Sequence, residues 1–118
     1  MNYLQATQEI TGVIPEIQDE LKEVRIQNSY HIIEMFTDRM KSMIRQNDRN
    51  RLLPCLKKMD ELYRKGDTLV KNAIENSFIY SLDNCTAFCS IEYRNVIFNH
   101  LSPDLKKVYA KQIYSHSI

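Results

Sequence analysis

The chain has 118 residues, with 16 Lys plus Arg against 15 Asp plus Glu, three Cys and 43% hydrophobic residues. Those figures exclude general disorder, which goes with too little apolar content to close a core, and a disulfide framework, which needs paired cysteines. The apolar stretches are a few residues long (Phe78-Ile79-Tyr80 is typical), against the roughly 20 that cross a bilayer, and Met1 to Ile10 lacks the basic-then-apolar pattern of a signal peptide. A soluble, cytoplasmic protein folding as one domain over 1–118 is expected.

Two glycines (Gly12, Gly66) and three prolines (Pro15, Pro54, Pro103) are too few for the tight turns of a sheet protein, and no Asn-Gly or Asp-Gly pair occurs. The expected class is all-α: a compact stack of about six to seven short antiparallel helices. These could be helical hairpins in a bundle or a HEAT-like or tetratricopeptide-like stack, although no residue signature repeats at a fixed period.

A first helix is expected over Asn2 to Thr11, ended by Gly12. Pro15 suits the first turn of a second helix, reaching about Gln27, with Ile14, Ile17, Leu21 and Val24 inward. Asn28-Ser29 caps a strong helix over Tyr30 to Gln46, with Ile33, Phe36, Met40 and Met43/Ile44 as its buried stripe. After the polar Asn47-Asp48-Arg49-Asn50 connection, a helix runs from about Arg51 to Lys65, with Pro54 confined to its first turn. Gly66 is assigned the left-handed position after that helix, and Asp67 caps the next.

The most apolar segment, Thr68 to Cys89, is expected to be the central helix, touched on more than one side, with Asp83-Asn84 as a point of interruption. Ile91 to Leu101 follows, burying Ile91, Val96/Ile97 and Leu101. Ser102-Pro103-Asp104 then starts the last helix, which uses Leu105, Val108/Tyr109 and Ile113 and frays near Ser115.

The net charge is +1, but its distribution is uneven. Met1 to Gln27 holds five acids and two bases, whereas Asp38 to Gly66 holds nine bases and four acids. This basic block, 39–65, is either a solvated helix face with local ion pairs to Asp60 and Glu61 or a contact surface. Arg39, Arg45, Arg49, Lys58 and Tyr63 are its candidate partner-binding residues. Tyrosine is favoured at interfaces because its ring is rigid and apolar and its tip polar.

No catalytic constellation emerges. Cys85 and Cys89, four apart on a helix, could hold zinc with His100 or His116, but no second closely spaced pair accompanies them, and a core position beside Phe88 is the preferred reading. Cys55 near a helix start could be an activated thiol, yet no spacing brings His31 or His100 to it. His31 and Glu34 give a single reversed Glu-x-x-His pair, where a helical di-metal site needs two. No metal, no cofactor and no enzymatic activity are therefore expected.

Glu75-Asn76-Ser77-Phe78-Ile79-Tyr80-Ser81-Leu82, together with the tail Ser102-Pro103-Asp104-Leu105-Lys106-Lys107 and Tyr109 to Tyr114, resembles a family of small all-helical bacterial proteins without assigned activity. The resemblance covers most of the chain after Ser29, with Asp83 to Ser90 departing from the pattern. It implies an immunity- or antitoxin-like role against a cognate toxin and supplies no catalytic residues.

The expected function is a non-catalytic helical module that binds another protein. The alternative is a nucleic-acid-binding accessory protein using the bases of 39–65, disfavoured by the four interleaved acids. No membrane partner is expected, and homo-oligomerisation is left open.

Overall fold

The structure, a computed structural model, describes residues 1–23 and 28–116. Six helix starts are fixed by a side chain that accepts a backbone N–H three residues ahead, satisfying one of the donors a helix start leaves free. Asn2, Asn28, Asp48, Asp67, Ser90 and Ser102 do so for Gln5, His31, Arg51, Val70, Tyr93 and Leu105. At Asn2 the exchange is reciprocal, because Gln5 Oε1 accepts the Asn2 N–H.

The helices are α1 (Tyr3–Val13), α2 (Ile17–Lys22), α3 (Ser29–Arg45), α4 (Arg49–Lys65), α5 (Thr68–Ala73), a π-helical turn (Ile74–Ile79), α6 (Tyr80–Thr86), α7 (Ile91–Asn99) and α8 (Pro103–His116). Because α5, the π-turn and α6 run into one another, they form one rod, and the described residues make seven rods without a strand. The all-α class is as expected. Val24 and the expected helix end near Gln27 lie outside the described residues.

Helix α3 buries Ile32, Ile33, Met35, Phe36, Thr37, Met40, Met43 and Ile44, a stripe wide enough to meet α1, α4, α5, the π-turn and α6. Helix α4 answers with Leu52, Cys55, Leu56, Met59 and Leu62. Fully burying such a side chain contributes about 1.5–3 kcal/mol, and these residues close into one apolar core with Ile10, Ile14 and Ile17 of the N-terminal segment and Leu105 of α8. The Cα radius of gyration, 13.8 Å, is close to the about 13.5 Å expected of a compact chain this long.

The 68–86 rod is central, as expected, but shares that place with α3. A π-turn is wider than an α-turn and rotates the register of the residues after it. Here the buried line Val70, Ala73, Ile74, Ser77, Phe78 continues at Leu82 and Thr86, and leaves Tyr80 in solvent. Gln112 Nε2 of α8 donates to the Glu75 carbonyl inside this turn at 2.8 Å. Asp83-Asn84 does not interrupt the rod, which ends at Thr86 and so short of Cys89.

Several boundaries differ from expectation, each for a local reason. Gly12 lies inside α1, which ends because Pro15 forces Ile14 out of the helical region (φ −133°, ψ 81°). Pro15 itself sits in a turn before α2. Helix α4 begins at Arg49, so Pro54 is past the first turn, and the carbonyl that loses its donor belongs to the exposed Asn50.

Gly66 is not left-handed (φ −70°, ψ 152°). It is needed for close approach, since a Cβ there would lie 2.5 Å from the Leu62 carbonyl oxygen and 2.6 Å from Val70 Cγ1. The left-handed residue is Asn47, φ 56°. Its N–H donates to the Ile44 carbonyl and the Asp48 N–H to the Met43 carbonyl, the paired bonds of a Schellman ending. Ile91 and Ile113, expected inward, are exposed.

The C-terminal helices are tied by a polar cluster. Asp83 accepts from Arg94 Nη2 and from the Tyr109 hydroxyl, while the Arg94 guanidinium also covers the Phe98 ring. Burial and the Asp83 carboxylate push the Tyr109 phenol up to about 12.

Candidate functional site

The last turns of α3 carry Lys41 and Arg45 four residues apart, hence on one face. The Schellman ending at Asn47 turns the chain in three residues, Gln46 to Asp48, and delivers Arg49 to the start of α4, where it lines the same cleft. Opposite them, the segment after α6 projects Phe88 with its ring wholly in solvent, 101% exposed, and Ser90 caps α7 so that Tyr93 faces inward. Between these walls lies a cleft of about 750 Å³, within the range of ligand-sized sites.

Its charge is specific in arrangement. Lys41 is 3.8 Å from Asp38. Arg49 donates through Nη1 and Nη2 to the two carboxylate oxygens of Glu92 at 2.9 and 2.7 Å, and its guanidinium lies 4.6 Å from the Tyr93 ring centroid, a stacked geometry open to arginine. The pair raises the pKa of Arg49 and holds the Glu92 carboxyl below the ordinary carboxylate range. Arg45 is exposed and makes no ion pair among the described residues.

The cleft also carries an unmet polar group. The Tyr93 hydroxyl is buried without a hydrogen-bond partner among the described residues, a state that costs about 1–3 kcal/mol. Burial raises the Tyr93 phenol above its usual value.

Cys85 and Cys89 are half-buried and pack against the edge of the core from the cleft wall, while Phe88, expected beside them in the core, points outward. Burial pushes the Cys85 thiol up to about 11 and outweighs the opposing charge of Lys41. Cys89 lies beyond the end of α6, so the two do not share a helix face. Among the described residues no three His, Cys, Asp or Glu side chains gather as a metal site. The His100 ring nitrogen Nδ1 is 2.8 Å from the Val96 carbonyl, and the side chain of His116 lies outside the described residues. Cys55 is the seventh residue of α4, past the reach of the helix start, and burial raises it to about 11 as well.

Of the five residues expected to bind a partner, the structure brings Arg45 and Arg49 together in the cleft. Arg39 pairs with Glu20 of α2. Lys58 donates to Glu9 of α1 at 2.8 Å and to Glu61 at 3.0 Å, which raises its pKa. Tyr63 donates to Glu75 at 3.4 Å. With Arg51–Glu16, three of the nine bases are thus tied to acids of Met1–Gln27, so the pairs of the block are not confined to Asp60 and Glu61. Phe88 escaped the sequence reading as a site residue, whereas Tyr93 stood among the helix tyrosines (with Tyr63, Tyr80, Tyr109 and Tyr114) that could border a contact surface. The signal for Phe88 was a large aromatic set between the polar Asp83-Asn84 and Ser90, a place where a turn exposes what it carries.

No helix among the described residues is long and apolar enough to cross a membrane. No curated protein and no solved structure matches the chain. A family model for a domain of unknown function, DUF7674, matches residues 7–115, nearly the whole of the chain and every element that builds the cleft. The chain belongs to the DUF7674 family.

Proposed function

We propose that this chain is a non-catalytic protein-binding module whose contact surface is the cleft between α3 and α7. The carrying observation is the juxtaposition of a fully exposed Phe88 with the uncommitted charge of Arg45 across that cleft. An aromatic left wholly in water beside a cation is the composition of a contact hot spot, where a rigid ring gives area and an arginine gives direction. Neither residue contributes to the core, so their placement is unexplained by folding.

An immunity role, with a cognate toxin as the partner, is one form of this reading and needs only that the cleft cover the toxin. Polyanion binding has less support, because Arg39, Arg49, Arg51 and Lys58 already face carboxylates from elsewhere in the fold. The test places a photo-cross-linking amino acid at position 88 of the full chain in cells that make it. A discrete protein adduct that disappears with Arg45→Glu is expected. An adduct to nucleic acid, or none at position 88, would overturn the reading.

A further inference from the structure

We infer that the segment received in this cleft is an acidic stretch of polypeptide carrying one large apolar side chain, an inference that rests on the protein-binding reading above. Three features of the cleft point the same way. The first is charge: Lys41, Arg45 and Arg49 line it against Asp38 as the acid of the wall, and Glu92 reaches Arg49 from α7. An incoming carboxylate meets Arg45 without displacing anything and meets Arg49 as a competitor of Glu92, in the same two-pronged geometry.

The second is the unmet hydroxyl of Tyr93, a buried residue that lines the cleft and whose ring lies against the Arg49 guanidinium. A phenol O–H is a donor in want of an acceptor, and carboxylate or peptide carbonyl oxygens are acceptors, whereas ammonium and guanidinium groups are not. A basic segment is thus disfavoured by the charge, while the hydroxyl asks only that the segment bring an acceptor oxygen, which a carboxylate or a backbone carbonyl supplies. The third is Phe88, whose exposed ring offers an apolar docking point at the mouth, with Ile91, also exposed, three residues on at the start of α7. A purely polar acidic chain leaves both in water; one aromatic or long aliphatic side chain covers them.

The test pans a random dodecapeptide phage library on the immobilised full chain and measures the selected peptides by fluorescence anisotropy. Selected sequences are expected to hold an aromatic or long aliphatic residue close to two or more Asp or Glu. Their affinity should fall at least about tenfold with Arg45→Glu and with Phe88→Ala, about threefold with Tyr93→Phe, and steadily with added salt. Arg45 and Phe88 are exposed and outside the core, so both variants should keep the parent helicity by circular dichroism.

Neutral or basic selected peptides, peptides indifferent to Arg45→Glu, equal displacement by inorganic phosphate or oligothymidylate, or an unenriched library would each overturn the inference. Neutral peptides that still need Phe88 would sink the acidic assignment and leave the protein-binding reading standing. A nucleic-acid adduct at position 88 would sink that reading itself.

Discussion

The two ends of α4 solve the same problem, a sharp reversal between helices, with opposite materials. At the C-terminal end, Gly66 lets the chain close onto Val70, and Met1 fills the corner, its ammonium donating to the Lys65 carbonyl at 2.7 Å and its own carbonyl accepting from Asp67 at 2.8 Å. At the N-terminal end, Asn47 makes the reversal by adopting the left-handed conformation, and the polar corner leaves a cleft open beside it. One corner is shut by the absence of a side chain; the other stays open because a polar side chain tolerates an unusual backbone. The comparison separates the part of the molecule built for packing from the part available to a partner.

The sharpest way to break it is Gly66→Ala. A methyl group forced against the Leu62 carbonyl and Val70 should cost about 1–3 kcal/mol in urea unfolding, with no change in peptide binding at the cleft. A loss of binding without a loss of stability would reverse the roles of the two corners. Next come the caps. Asp67→Ala should cost about 1 kcal/mol, and Asp48→Ala less, since the Asp48 bond is 3.3 Å against 2.9 Å.

At the open corner, Asn47→Ala places a Cβ residue without a local hydrogen-bonding group in the left-handed region and should cost about 1 kcal/mol. Asn47→Gly should be neutral or gain a few tenths; equal losses from both would mean that the side chain, not the backbone, makes the turn. The smallest effect belongs to Glu92→Gln. Arg49 depresses the Glu92 carboxyl, so its stabilisation is present above the ordinary carboxylate range and is lost as pH falls through the lower folded value. The variant should flatten the acid limb of the stability profile slightly, as an exposed pair permits.

The helices were legible where the reasons for them are local. The three-and-four spacing of Ile33, Phe36, Met40 and Ile44 and the caps at Asn28, Asp67 and Ser102 needed only neighbouring residues to be read. The π-turn was not, because an i to i+5 bond has no residue preference of its own and the buried line Val70, Ile74, Phe78, Leu82 and Thr86 keeps its spacing of four through it. Gly66 misled because a glycine after a lysine looks like a left-handed cap, whereas its constraint comes from Val70, four residues on and across the corner.

The site was half legible. Arg45 and Arg49 could be named from the density of bases, but the cleft joins residues 38–49 to 84–93, and nothing local says that they meet. The same tertiary pairing, Glu92 to Arg49 and Glu9 to Lys58, decides which bases are spent on the fold.

The carbonyl that Glu75 offers to Gln112 inside the π-turn has a consequence for how such a chain can change over time. Because the acceptor is main chain, this bond survives a change of side chain at position 75, while position 112 must keep a side-chain donor of similar reach. As far as this joint is concerned, mutational drift should therefore be easier at position 75 than at 112, an asymmetry set by geometry rather than by any partner.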